Sequence, residues 1–130
     1  MMCMSVILLN EETFLQRVAD YRNPHAEWKY RGSRPAIVDF YATWCGPCRV
    51  LSPILEEIAL AYKDVIDVYK VDVDLCESIA DAYGIRSIPT TFFVPLHGRP
   101  VKMVGAITKR EIEKQITNVL LKNESHHAVV

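Results

Sequence analysis

The motif Trp44-Cys45-Gly46-Pro47-Cys48 follows an apolar run at 36–41 and precedes a helical pattern at 49–58. The two cysteines therefore lie where a buried strand is predicted to end and a helix to begin. The first turn of a helix has unpaired backbone N–H groups and a partial positive charge, which lower the pKa of a thiol held there. Cysteines three residues apart on a helix share one face. We therefore expect Cys45 and Cys48 to form a disulfide that opens and closes, with Cys45 outermost and Cys48 one turn deeper.

The two residues between the cysteines suit this interpretation. Pro47 fits an early helical position, where its missing N–H costs nothing. Gly46 has no side chain, so the backbone of a substrate can come near.

Two other interpretations of the cysteine pair are an inert structural disulfide and half of a zinc site. A zinc site needs two further ligands at a compatible spacing. Cys3 and Cys76 are isolated in the sequence. The histidines form no matching pair either; they are His25, His97, His126 and His127. We therefore expect no metal, and nothing in the sequence predicts a cofactor.

The composition is that of an ordinary globular domain. Of 130 residues, 50% are hydrophobic and 24% are charged, with a net charge of -1. These values fit one domain over residues 1–122 and a loose tail at 123–130. They argue against nucleic acid or an anionic membrane as a partner. No apolar run is long enough to span a bilayer, and the N-terminus lacks the basic flank of a secretory signal. We expect a cytoplasmic protein, or a periplasmic one if a leader has been removed.

Apolar periodicity predicts an α/β fold. Strands are expected at 5–9, 36–42 and 65–73, with an antiparallel hairpin within 90–106. Helices are expected from Asn10 to about 19, to about 62 after the cysteines, at 75–83 before Gly84, and from a capping box at 108–111. Early strands that alternate with helices pair in parallel. The prediction is a mixed, roughly five-stranded sheet flanked by about four helices, with the cysteines after a central strand.

The segment 21–35 is long and basic, and aromatic residues are interleaved with its charges. We expect Trp28 and Tyr30 to pack over the edge of the core, although such a segment is also able to bind a partner. Cys76 is expected to be a small apolar residue on the third helix.

The chain resembles the thioredoxin family over about residues 5–121. The resemblance is carried by residues 44–48, by the strand residues 38–41, by Gly84-Ile85-Arg86-Ser87-Ile88-Pro89-Thr90 and by Val104-Gly105-Ala106. It implies the thioredoxin fold, with Cys45 as the attacking cysteine and Cys48 as the resolving one. It also implies that Pro89 is a cis-proline packed against the dithiol. The implied docking surface for substrates consists of Trp44, Gly46, Pro47, Ile88, Pro89, Gly105 and Ala106.

The resemblance further implies that Asp39 is a buried acid beneath the dithiol and that Lys70 lies near it. On an apolar strand, burial should raise the pKa of Asp39 toward neutrality, and Lys70 should lower it. Asp39 is then a candidate base for Cys48. The alternatives are a buried carboxyl that is fully hydrogen-bonded and a lysine that is merely on the surface. Tyr41 departs from the family, which often has tryptophan there.

The predicted function is the reduction of protein disulfides, with electrons from a thioredoxin reductase or a membrane electron donor. The expected partners are disulfide-containing proteins, and the expected state is a monomer. An exported relative could instead oxidise or isomerise disulfides. A third possibility is a binding subunit that does not need its cysteines, for which the segment 21–35 would be the supporting feature.

Overall fold

The computed structural model describes residues 5–23 and 25–122. The strands are β1 (Val6–Leu9), β2 (Ala36–Tyr41), β3 (Asp67–Asp72), β4 (Thr90–Val94) and β5 (Val101–Val104). The helices are α1 (Glu11–Arg17), α2 (Gly46–Ala61), α3 (Glu77–Ala82) and α4 (Lys109–Gln115), and a π-helical turn (Ile116–Leu120) continues α4. No helix among these described residues is long and apolar enough to cross a membrane.

The five strands form one sheet in the order β1-β3-β2-β4-β5. β1, β3 and β2 pair in parallel, while β4 and β5 pair antiparallel. The predicted mixed sheet is therefore confirmed. Because β2 lies at its centre, the cysteine motif follows a central strand, as expected.

Helices cover both faces of the sheet, and a hydrophobic core lies under each layer. Alternate residues of β2 supply the two cores, since successive side chains of a strand point to opposite faces. Ile37 packs with Leu51, Leu55 and Ile58 of α2. Val38 belongs to the other core, whose members include Phe14, Phe40, Ile79 and Phe92.

Local signals in the sequence place several element ends correctly. The Asn10 side chain accepts a hydrogen bond from the backbone N–H of Thr13 at 2.8 Å and so caps α1. Thr108 and Glu111 form the predicted capping box at the start of α4. Gly84 has a φ of +63°, the left-handed conformation expected after α3.

Other boundaries differ from the prediction. α1 ends at Arg17 rather than near 19, and α3 begins at Glu77 rather than 75. β5 ends at Val104 rather than 106, because Gly105 has a φ of +99° that a strand does not continue through. The last helix ends in a π turn, where the N–H of Leu121 donates to the carbonyl of Ile116.

The segment 21–35 contains neither helix nor strand in its described residues. Trp28 and Tyr30 both pack against the core on the α1 and α3 side, so the predicted role as lids over the core is confirmed. Tyr30 donates its hydroxyl to the carbonyl of Arg34 at 2.6 Å. The N–H of Arg31 donates to the carbonyl of Val18 at 2.9 Å, which fixes the segment to the end of α1.

Cys76 is buried, as expected, but it is the N-cap residue of α3 rather than an internal helical position. The predictions for Cys3, for His126 and His127, and for the tail at 123–130 lie outside the described residues. The division into one domain and a tail stays a prediction.

Candidate active site

The cysteine motif forms the turn that joins β2 to α2. Cys45 is the N-cap of α2, and Gly46 and Pro47 occupy its first two helical positions. Cys45 and Cys48 are joined by a disulfide, with their Cα atoms 5.3 Å apart. The spacing thus brings the two sulfurs together as predicted, at the positive end of a helix dipole.

The Cys45 sulfur takes the place that an oxygen occupies in most N-caps. The backbone N–H of Cys48 donates to Cys45 Sγ at 3.2 Å, so one unpaired donor of the first turn is directed at this sulfur. Cys45 Sγ also lies 3.8 Å from the carbonyl oxygen of Ile88. A donor and a helix end aimed at the sulfur stabilise its thiolate, which is the nucleophilic form.

Cys45 lies at the start of α2 and Cys48 within its first turn, and both cysteines are buried. Cys45 is 4% exposed and Cys48 is 3% exposed. Ile88, which comes from a loop distant in the sequence, packs with Tyr41 and Val73 against the cluster formed by Ala42 and the two cysteines. Burial by a second loop is a tertiary effect that the local motif does not reveal.

Pro89 belongs to the loop that covers the cysteines. The Ile88–Pro89 peptide bond is cis, as the family resemblance implies. The carbonyl of Pro89 accepts a hydrogen bond from the N–H of Gly105 at 2.8 Å. This bond places Gly105 and, one residue later, Ala106 beside the loop of Ile88. The structure therefore brings two of the expected docking segments together.

The docking residues at the motif itself are on the surface. Trp44, Gly46 and Pro47 are exposed, and Trp44 has 67% of its surface accessible. The Trp44 indole N–H donates to Asp74 Oδ2 at 2.8 Å, which fixes the ring although it is exposed. Sequence reasoning missed Asp74. Its position just after β3 indicates that it lies near Trp44, because β3 is parallel to β2 and the ends of adjacent parallel strands meet at one edge of the sheet.

Asp39 is buried in β2, with 3% of its surface exposed. Its Oδ1 has no hydrogen-bond partner among the described residues, so the alternative of a fully hydrogen-bonded carboxyl fails for this oxygen. Burial raises the pKa of Asp39 to about 7, and the positive charge of Lys70 opposes that rise. Both directions agree with the prediction.

Lys70 is the direct cross-strand neighbour of Asp39 in the pairing of β2 with β3. Its ammonium lies 4.7 Å from the centroid of the Tyr41 ring, a cation–π contact. Tyr41 therefore holds the lysine beside the buried acid. The sequence did not show this contact, because Tyr41 and Lys70 are far apart in the chain.

No three His, Cys, Asp or Glu side chains within residues 5–23 and 25–122 are grouped as metal ligands. What the site contains is a disulfide at a helix N-terminus, a buried acid and an exposed apolar rim. These groups suit the exchange of disulfides with another protein chain.

Comparison with known proteins agrees with this chemistry. The sequence profile of the family described as Thioredoxin matches residues 5–118. A thioredoxin of Borreliella burgdorferi is 48% identical over 110 residues, covering 85% of this chain and 93% of that protein. A thioredoxin of Alicyclobacillus acidocaldarius is 44% identical over 91 residues, with 69% and 86% covered. A thioredoxin of Pyropia yezoensis is 35% identical over 117 residues, with 90% and 99% covered. The chain belongs to the thioredoxin family of thiol–disulfide oxidoreductases.

Proposed function

We propose that the chain reduces disulfides of other proteins, with Cys45 as the attacking nucleophile and Cys48 as the resolving thiol. The observation that carries this assignment is the N-cap geometry of Cys45. Its sulfur accepts the Cys48 N–H at 3.2 Å. The charged, nucleophilic form of Cys45 is thereby favoured over that of Cys48, which lies within the helix.

The first step forms a mixed disulfide. The Cys45 thiolate attacks one sulfur of the substrate disulfide, the substrate S–S bond breaks, and the other substrate sulfur leaves as a thiolate that takes up a proton. In the second step the Cys48 thiol loses its proton and attacks Cys45 Sγ. The mixed disulfide breaks, the substrate leaves fully reduced, and Cys45 and Cys48 are oxidised.

Asp39 is proposed as the base that takes the proton of Cys48. A general base works best when its pKa is near the working pH, and the pKa of Asp39 is about 7. Its Oδ1 has no partner among the described residues and is therefore available to accept a proton. Lys70 is proposed to keep enough of the carboxyl ionised at neutral pH, since its charge opposes the effect of burial.

Substrates are proposed to dock on the apolar surface around the cysteines. An extended substrate segment would lie along the backbone of Ile88, with Pro89 shaping the groove, as in the addition of a strand to an edge. Trp44, Gly46 and Pro47 would contact it from one side and Gly105 and Ala106 from the other. The exposed large apolar ring of Trp44 supports this, because such rings are enriched at the centres of interfaces.

After each turnover the Cys45–Cys48 disulfide has to be reduced again. We propose a cytoplasmic monomer that receives its electrons from a thioredoxin reductase. A measured reduction potential separates this proposal from the alternative of an exported oxidant or isomerase supplied by a membrane electron donor. A strongly reducing potential supports the reductase, and a potential near that of disulfide isomerases contradicts it.

The test of the function is the cleavage of the interchain disulfides of insulin in the presence of a small thiol. We expect rapid precipitation of insulin with the wild type and with the control variant Cys76→Ser. Cys45→Ser should be inactive. Cys48→Ser should accumulate a mixed disulfide on Cys45 that mass spectrometry detects. An active Cys45→Ser variant would overturn the assignment.

A further inference from the structure

A cavity of about 360 Å³ lies between the segment 21–35 and the hairpin of β4 and β5. A second cavity of about 310 Å³ lies on the other side of the same segment. Ala26, Trp28 and Tyr83 line both, so the two cavities adjoin at the Trp28 ring. We call this the Trp28 groove.

The groove exists because the helical layer ends before the sheet does. α1 and α3 cover β1, β3, β2 and β4 on this face, but β5 is an edge strand and most of its residues are exposed. The floor is aromatic. The Tyr83 ring lies 5.9 Å from Trp28 and 5.8 Å from Phe92, both edge to face.

The rim of the larger cavity is cationic. Arg99 and Lys102 line it and no acidic residue does, whereas the smaller cavity has Asp20 and Glu27 beside Lys29 and Arg31. Arg99 and Lys102 make no ion pair within the described part of the chain, where Arg22, Arg34 and Lys109 each have an acidic partner. The whole protein has a net charge of -1, so this local excess of positive charge is not a property of the surface in general.

The Trp28 indole supplies a further unmet interaction. Its Nε1–H is buried and has no acceptor among the described residues. A buried donor without an acceptor costs about 1–3 kcal/mol. In the larger cavity, cationic side chains beside an aromatic floor fit carboxylates carried on a chain with some apolar character.

The groove is close to the dithiol along the same hairpin. Lys102 pairs with Phe92, and Val104 pairs with Thr90, the residue after Pro89. Gly105 follows Lys102 by three positions, a distance of about 10 Å along an extended chain. A protein segment whose disulfide lies at Cys45 is therefore long enough to reach the groove after only a few more residues.

We propose that the Trp28 groove binds an acidic segment of the disulfide-bearing partner protein and so selects partners for reduction. This inference rests on the proposed function. Its occupant is a protein segment rather than a small anion, because Lys102 lies on the same strand that leads to Gly105, where substrates are proposed to dock.

The test uses two synthetic peptides with the same intramolecular disulfide. One carries a tail of four glutamates, and the other carries four serines in the same positions. We expect the wild type to reduce the acidic peptide with a kcat/KM about tenfold higher than the neutral one at low salt. The preference should disappear at high salt, since rim charges are screened.

The variant that tests the groove is the double substitution Arg99→Glu with Lys102→Glu. It should lose the preference for the acidic peptide and keep the rate on the neutral one. The matched control is Arg110→Glu with Lys114→Glu on α4, which makes the same change in net charge on the opposite face and should retain the preference. Equal loss in both variants, or no preference in the wild type, would overturn the inference. Failure to reduce even the neutral peptide would instead contradict the proposed function.

Nuclear magnetic resonance locates the binding directly. The chain has two tryptophans, so a Trp44→Phe variant identifies the Trp28 indole N–H signal. A cysteine-free peptide with the glutamate tail should shift that signal, and the serine peptide should not. Inorganic phosphate is the competitor. If phosphate produces the same shift and abolishes the peptide's effect, the groove is a small-anion site and the proposed occupant is wrong.

Discussion

The two tryptophans of this chain lie in different surroundings. Trp44 is 67% exposed, and its indole N–H is bound by Asp74. Trp28 is half-buried on Tyr83, and its indole N–H has no acceptor within the described residues. The region around Trp44 therefore presents apolar surface that is held in place. The region around Trp28 contributes packing to the core and leaves a groove at its edge.

The difference shows that the residues that carry out the reaction and the residues that stabilise the fold lie in different regions of the molecule. In β2, the strand that leads to the cysteine motif, the buried carboxyl of Asp39 lacks a partner for Oδ1 among the described residues, an arrangement that favours proton transfer over stability. The segment around Trp28 lacks regular structure but completes one of the two cores. Four experiments test or sharpen this division.

The largest expected effect is on the second step of the reaction. Asp39→Asn removes the proposed base and should slow resolution of the mixed disulfide by about 10²-fold at neutral pH. In the wild type this rate should rise as the pH rises through about 7, where Asp39 loses its proton. Single-turnover kinetics over this pH range should show a flat profile for Asp39→Asn, and an unchanged rate would exclude Asp39 from the mechanism.

The same carboxyl makes stability depend on pH. Its pKa in the folded chain, about 7, is above its ordinary value of 3.8, so the folded state binds the proton more tightly than the unfolded state does. Its contribution is fully present below about pH 4 and is lost as the pH rises through 7, a loss on the order of 4 kcal/mol. Part of this loss has already occurred at pH 5, so urea unfolding at pH 5 and pH 8 should differ by about 2–3 kcal/mol in the oxidised wild type from this cause, and Asp39→Asn should lack that difference.

Truncation of each tryptophan should give opposite results. Trp28→Ala should lower the free energy of unfolding by about 2–3 kcal/mol, because it opens a cavity beside Tyr83, and should leave the reduction of the neutral peptide unchanged. Trp44→Ala should cost less than about 1 kcal/mol but reduce kcat/KM about tenfold through lost docking surface. Trp28→Phe is the conservative control. If folded Trp28→Ala loses activity on the neutral peptide, the proposed separation between a reactive region at Trp44 and a stabilising region at Trp28 is wrong.

The smallest effect concerns Tyr41. Tyr41→Leu removes the ring that holds the Lys70 ammonium, so the lysine should oppose the burial of Asp39 less effectively. We expect the pH profile of resolution to move upward by about half a pH unit, since a cation–π contact outside the core is worth about 0.5–1 kcal/mol. Tyr41→Phe keeps the ring and should keep the profile. Equal shifts in both variants would show that the hydroxyl, not the ring, matters.

Much of this arrangement is predictable from local sequence. Periodicity places the strands, and the capping residues Asn10 and Thr108 and the left-handed Gly84 fix element ends, because these signals act within a few residues. The cysteine spacing and the apolar strand around Asp39 predict the disulfide and the raised pKa of the acid for the same reason. The cis bond before Pro89 was predictable only from the family resemblance.

What sequence could not supply are contacts between distant elements. The near-equal burial of Cys45 and Cys48 comes from Ile88, and the fixed orientation of Trp44 comes from Asp74. The π turn that ends the last helix, Ile116–Leu120, departs from a regular helical pattern that the apolar spacing alone predicts. Each of these depends on which segments meet in space, and periodicity within one segment carries no information about that.

A sulfur atom as the cap of α2 has a consequence for the energetics of turnover. In the disulfide, Sγ of Cys45 accepts the Cys48 N–H, and the sulfur of a thiolate or of a mixed disulfide keeps the lone pairs that accept the same bond. We therefore expect the first turn of α2 to keep its capping hydrogen bond in each redox state. The transfer of two electrons then requires little change in the backbone. The protein can in this way reduce many different substrates without a change in its own backbone structure.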